Sequence, residues 1–293
     1  MSIIPIPSDV NVRQLHPEVY KLFQRVQYAQ RTPEWYEVRK GLMTASDVAG
    51  ALGIKPFASF KGDPRQELLM KKLNNAPVKG MALEHGVKYE SDAADLAMSV
   101  LGERMFEFGL LVHDKYKWLA ASPDGITSRG YAVEIKCPMR RKIVPGEVPH
   151  HYLPQIQVQL EVCNLEFCYF IQYKPGFMQD DGKPFIDIVV VERDREWFAQ
   201  HKDILYEFWS ELMSKRQTHI PVEVESDVVL TIDPDLYDLE REPYVREYED
   251  TVEFFDDDVC AVIEDDLYAR DKTYAREFKM SQEVETCLIS DIF

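Results

Sequence analysis

The sequence predicts an α/β protein with a mixed sheet flanked by helices and an acidic extension at its C-terminal end. Helical patterns come first, strand patterns cluster between residues 105 and 192, and a helical stretch at 152–162 crosses over between two of the strands. Charge sets the extension apart. Residues 1–220 carry 28 Asp/Glu and 28 Lys/Arg, while residues 221–293 carry 23 and 6, so the net charge of −17 belongs to the last quarter. The expected organisation is an arm and helix over 1–30, a main domain over 31–220 and an extension over 221–293.

Residues 1–18 hold three prolines and little periodicity, which suggests an extended arm. Val19, Leu22, Phe23 and Val26 recur at helical spacing between Pro17 and Arg31. Thr32-Pro33-Glu34 reads as a helix start, with Thr as N-cap and Pro at the first helical position. A second start at Thr44-Ala45-Ser46-Asp47 runs to about Leu52 and stops at Gly53, before a polar surface loop over 55–63. Met81–Leu101 predicts a long helix burying Leu83, Val87, Ala94, Leu96 and Met98. Strands are expected at 105–113, 118–121, 131–137, 167–173 and 185–192, and an amphipathic helix over 194–217 through Trp197, Ile204, Leu205, Phe208 and Leu212. In the extension, acidic knots at 256–258 and 264–266 are interleaved with Tyr and Phe, a composition that favours docking over free solvation.

Five cysteines without a C-x-x-C pair argue against a disulfide framework and against a zinc module. Met1 to Leu15 shows no basic stretch followed by an apolar core, and no long apolar run occurs, so a soluble intracellular protein, not secreted, is expected in the cytoplasm or nucleus.

The chemistry concentrates in Ser122-Pro123-Asp124-Gly125 and Glu134-Ile135-Lys136. Alternation along a strand points Glu134 and Lys136 to one face, and Asp124 in its turn can swing back to meet them. Two carboxylates and an amine are the inventory for metal-dependent phosphodiester cleavage; taken alone, Asp124 reads as a turn residue and the E-x-K as a surface ion pair on an edge strand, and it is the further elements of the chain that reverse this.

Further elements share the chain in order: Trp35-Tyr36-Glu37-Val38-Arg39-Lys40-Gly41 with Thr44-Ala45-Ser46, Gly86-Val87-Lys88-Tyr89-Glu90, and Tyr152-Leu153-Pro154-Gln155-Ile156-Gln157. As a set, over about residues 31–217, they resemble the phage lambda exonuclease and YqaJ viral recombinase family of PD-(D/E)xK nucleases. The resemblance implies a restriction-endonuclease-like fold and a Mg²⁺- or Mn²⁺-dependent exonuclease that resects 5′-phosphorylated duplex ends in recombination or repair of viral or phage DNA. Asp124, Glu134 and the Ile135 carbonyl would hold the metal, Glu90 would complete the site through water or a second ion, and Lys136 would orient or deprotonate the attacking water. Gln155 matches a helix glutamine near the metal, whereas Gln157 points elsewhere. Arg39 and Ser46 match residues that clasp a 5′ phosphate, as a guanidinium beside a fresh helix N-terminus can, and Ser122 is grouped with them. Structural alternatives are a solvated Glu90 and an ion-paired Arg39. Arg140-Arg141-Lys142 are candidates for DNA phosphates, His150-His151 read as solvated or capping, and Trp35 as core.

Double-stranded DNA ends are the implied partner, with a single-strand annealing protein and the family's trimer as further expectations; no membrane is implicated. A RecB-like nuclease is the alternative enzyme, and a non-catalytic DNA-end-binding or recombination scaffold on the same fold is the alternative outside enzymes.

Overall fold

The computed structural model describes residues 2–57, 60–75, 80–179 and 182–219. The acidic extension, and with it the expectation that its aromatic residues dock, lies outside the described residues.

A two-residue strand β1 (Ser2–Ile3) pairs antiparallel with β2 (Val26–Gln27), and helix α1 (Pro17–Phe23) lies between them. The expected run of helical apolar residues therefore ends early: Val26 is in a strand and 49% exposed. Leu15, Val19, Leu22 and Phe23 enter the same core as the rest of the molecule. Helix α2 (Pro33–Lys40) starts where its cap predicts, the Thr32 hydroxyl accepting from the Trp35 N–H. Strand β3 (Met43–Thr44) leads into a short 3₁₀ turn (Ala45–Asp47) and helix α3 (Val48–Ala51).

Helix α4 (Pro64–Leu73) has no counterpart in the sequence reading, although Asp63-Pro64 is a cap signal: Asp63 Oδ1 accepts from the Arg65 N–H at 2.9 Å. Helix α5 (Met81–Leu101) has the expected bounds, and of its expected buried side Ala94 is in the core and Met98 packs against it, but Leu83 and Val87 are exposed. Ala82, Ala93 and Ala97 are buried with Ala94. Small residues let the helix lie close on the sheet.

The expected strand over 105–113 is two strands, β4 (Met105–Phe106) and β5 (Leu111–Val112), in different sheets. Gly109 sits at the change of sheet, where a Cβ would lie 2.2 Å from the Tyr28 carbonyl oxygen. Strands β6 (Leu119–Ala121), β7 (Gly125–Thr127) and β8 (Tyr131–Lys136) follow; β7 is additional to the expected set. Helix α6 (Leu153–Cys163) crosses over to β9 (Phe167–Met178), which turns back as β10 (Pro184–Glu192), and α7 (Arg195–Arg216) closes the described chain. On α7 the buried residues are Phe198, Leu205, Phe208 and Leu212; Ile204, expected inside, is 44% exposed.

The main sheet runs β10-β9-β8-β7-β4, with β8 and β9 parallel and the other neighbours antiparallel, so the mixed sheet flanked by helices is present. The alanine face of α5 packs on one side against Val133, Ile135, Tyr169 and Ile171. On the other side Ile156 and Leu160 of α6 join Ala132, Phe170 and the buried face of α7. A second sheet, β3-β6-β5, has β3 and β6 parallel, with Thr44 opposite Ala120. Their C-terminal ends emerge together, which brings Thr44-Ala45-Ser46 beside Ser122 and the turn carrying Asp124.

Candidate active site

Strand β8 lies between β7 and β9, and its pleat sends Val133 and Ile135 toward α5 and Glu134 toward α6. Glu134 is 2% exposed yet fully partnered. Its Oε1 accepts from Lys136 Nζ and from Gln155 Nε2, each at 2.5 Å, and its Oε2 accepts from Gln159 Nε2. Gln159 was missed in the sequence; its signal is the i, i+4 spacing from Gln155, which puts both amides on one helix face. Gln157 faces away, donating to the Glu192 carbonyl and accepting from the Asp194 N–H.

Asp124 is pinned to β8 twice: its N–H donates to the Val133 carbonyl at 3.1 Å, and its Oδ2 accepts from the Ile135 N–H at 2.7 Å. The next residue is Gly125, where a Cβ would lie 2.1 Å from Met105 Sδ, so any side chain there requires Met105 to turn aside. Burial raises the Asp124 carboxyl well above the usual range, the charges of Glu134 and Glu90 push the same way, and Lys136 opposes them. Burial presses Lys136 down, but Glu134 and Asp124 outweigh it and hold the ammonium charged. The Lys136 ammonium also sits 5.1 Å from the centre of the Tyr152 ring.

Glu90 projects from α5 to Arg31, at 2.7 Å, and its charge reaches Asp124. Arg31, missed in the sequence, holds a left-handed backbone (φ 62°) just before the Thr32 cap. Among the described residues no group of three or more His, Cys, Asp or Glu side chains is gathered for a metal; the carboxylates brought together are Asp124 and Glu134.

On α2 the Arg39 guanidinium reaches Ser46 Oγ at 3.2 Å and Thr44 Oγ1 at 3.3 Å, with its carbon 4.1 Å from the Trp35 ring centre. Asp47 underlies this group: its Oδ2 accepts from Lys72 at 2.7 Å and from the Thr44 main chain at 3.2 Å, and also from the Thr44 hydroxyl. Trp35 is half-buried rather than wholly core, and its indole N–H donates to Ser122 Oγ at 3.1 Å.

The basic run divides. Arg140 and Lys142 are exposed, whereas Arg141 turns inward with its guanidinium 5.9 Å from the Tyr152 ring, the same ring that meets Lys136. His150 is exposed and meets the Lys55 carbonyl at 3.0 Å. His151 corrects the expectation of a solvated or capping residue. It is 7% exposed, packs on Tyr152 and is pushed down to about 3 by burial and by His150, Arg141 and Lys136, so it is neutral.

This mixed α/β fold is similar to that of an alkaline exonuclease (LHK-Exo) from Laribacter hongkongensis, at 28% identity and a TM-score of 0.53 over 64% of this chain and 95% of that one. Residues 34–166 match the family model of the YqaJ-like viral recombinase domain. An uncharacterized protein, R354, of Acanthamoeba polyphaga mimivirus is 32% identical over 166 residues, covering 50% of this chain and 30% of that protein. Protein D345L of African swine fever virus is 29% identical over 161 residues, covering 44% of each. The chain thus spans less than half the length of these viral relatives. No described helix is long and apolar enough to cross a membrane.

Proposed function

We propose that this chain is a divalent-metal-dependent DNA exonuclease that hydrolyses the 5′-phosphorylated strand of duplex ends, in recombination or repair of viral DNA. The observation that carries this reading is the convergence of Asp124, Glu134 and Lys136 at β8, joined through Ser122 and Trp35 to the Arg39–Ser46 pair.

The donor set suits Mg²⁺ or Mn²⁺. Asp124, Glu134 and the Ile135 carbonyl are hard oxygen donors, and a carboxyl raised by burial and by neighbouring carboxylates marks a place short of positive charge. Glu90, already paired with Arg31, would act from further out, through water. When bound, the ion supplies Lewis-acid polarisation of the scissile phosphate and offsets charge in the transition state. Lys136, held as an ammonium, is suited to orienting the attacking water and stabilising developing negative charge rather than to removing a proton. Gln155 can release Glu134 to hold a water or a phosphate oxygen through its amide. Arg39 and the Ser46 hydroxyl would seat the terminal 5′ phosphate, and Arg140, Arg141 and Lys142 would neutralise phosphates along the strand. Double-stranded DNA ends are the proposed partner, with an annealing protein taking up the exposed 3′ strand and a trimer as the proposed assembly.

Duplexes labelled at either the 5′ or the 3′ terminus, phosphorylated or not, test the polarity. The reading requires a 5′ label to be released first as a mononucleotide, faster from phosphorylated ends. Release of a 3′ label first, or internal cleavage, contradicts it.

A further inference from the structure

The two oxygens of Glu134 are held by different partners. Oε1 accepts from Lys136 and Gln155, both only partly buried. Oε2 accepts from Gln159, which is 1% exposed. Gln159 and Gln155 are one turn apart on α6, so a rigid helix delivers both amides to one carboxylate. The remaining polar atom of Gln159, its Oε1, is buried with no hydrogen-bond partner. Burying an amide whose oxygen gains nothing is costly, and its N–H bond to Glu134 is the return visible in the structure.

We propose that Gln159 is a positioning residue: it fixes Oε2 and so presents Oε1 to a divalent cation, while Gln155 is the exchangeable occupant of Oε1. This rests on reading Asp124 and Glu134 as metal ligands. The two glutamines then act on metal binding in opposite senses. A cation approaching Oε1 competes with Gln155 but is served by Gln159, because a carboxylate clamped on one oxygen cannot rotate away from the ion. Partners that orient a ligand in this manner typically contribute about 10–100-fold in metal affinity.

The test is direct titration of the full chain with Mn²⁺, free ion being followed by electron paramagnetic resonance, without DNA and without an activity readout. Gln159→Met removes the donor at nearly constant volume, and Gln159→Asn keeps an amide but withdraws it by one methylene, a second route should the Met variant fold poorly. Both are expected to weaken Mn²⁺ binding about tenfold or more. Gln155→Met is expected to bind Mn²⁺ as tightly as the unaltered chain or more tightly. Thermal unfolding of each variant in chelator separates a merely structural role, which would lower the melting temperature and leave the affinity unchanged. Unchanged affinity in the folded Gln159 variants overturns the proposal, as does equal weakening by Gln155→Met. An unaltered chain that takes up no Mn²⁺ sinks the metal reading itself, and this inference with it.

Discussion

The Trp35 indole donates its N–H to Ser122 Oγ at 3.1 Å, a bond between helix α2 and the turn that holds Asp124. The same ring carries the Arg39 guanidinium, so one side chain couples the proposed phosphate seat to the proposed catalytic carboxylate. Trp35→Phe keeps a ring for Arg39 but loses the bond, and is expected to cost about 1 kcal/mol of stability. Trp35→Ala also removes the platform and should reduce the preference for 5′-phosphorylated ends much further than Phe does. Unfolding midpoints in urea and initial rates on paired substrates check both; equal behaviour of the two variants would show that the ring's stacking on Arg39 is immaterial.

Arg39→Ala should leave hydrolysis in place and shrink the rate advantage of 5′-phosphate over 5′-hydroxyl ends by about tenfold, the scale of one charge-assisted hydrogen bond. Initial rates on the two substrates decide it. An unchanged ratio makes Arg39 a structural residue.

Asp47 sits under that seat, and its carboxyl is lowered: burial works against ionisation, but Lys72 and Arg39 outweigh it. A depressed folded pKa contributes stability that is fully present well above the unfolded value and fades as pH falls through the folded one. Asp47→Asn should therefore cost about 3 kcal/mol near neutrality, because Lys72 loses its partner, and progressively less in acid below about pH 4. Urea unfolding of the two proteins across that range checks the sign, and a penalty that grows in acid refutes it.

Two glycines make a contrasting pair. A Cβ at Gly109 meets the Tyr28 main chain, which cannot yield without disturbing the change of sheet. A Cβ at Gly125 meets the flexible Met105 side chain, which can turn aside. Gly109→Ala should cost about 3 kcal/mol and Gly125→Ala about 1 kcal/mol. The reverse order in denaturant unfolding would contradict this account of the β4–β5 segment.

Much of this architecture was legible because its signals are local. The Thr32-Pro33 cap, the bounds of α5 and the alternation of Tyr131–Lys136 all follow from neighbouring residues. The sharing of one face by Glu134 and Lys136 follows from the same alternation. What escaped depends on partners remote in sequence. The buried face of α5 is set by how closely its alanines approach the sheet, so Leu83 and Val87 end up exposed. The strand expected over 105–113 divides because Gly109 abuts Tyr28 from another part of the chain. Arg31 reaches Glu90 across 59 positions, and Trp35 reaches Ser122 across 87, separations over which no periodicity speaks. Gln159 was within reach of the helix-spacing rule but lies two residues past the Tyr152–Gln157 motif.

The most direct test of the central claim is release of nucleotides from a 5′-phosphorylated, end-labelled duplex by the unaltered chain and by Glu134→Gln, each with Mg²⁺ and with chelator. Asp124→Ala and Lys136→Ala serve as companions, each expected to fold, bind duplex ends and lose a hundredfold or more in rate. The account predicts mononucleotides from the unaltered chain with Mg²⁺, none in chelator, and none from folded Glu134→Gln under either condition. Tight binding of duplex ends with no nucleotide released by the unaltered chain in Mg²⁺ or Mn²⁺ would contradict it and leave a DNA-end-binding scaffold in its place.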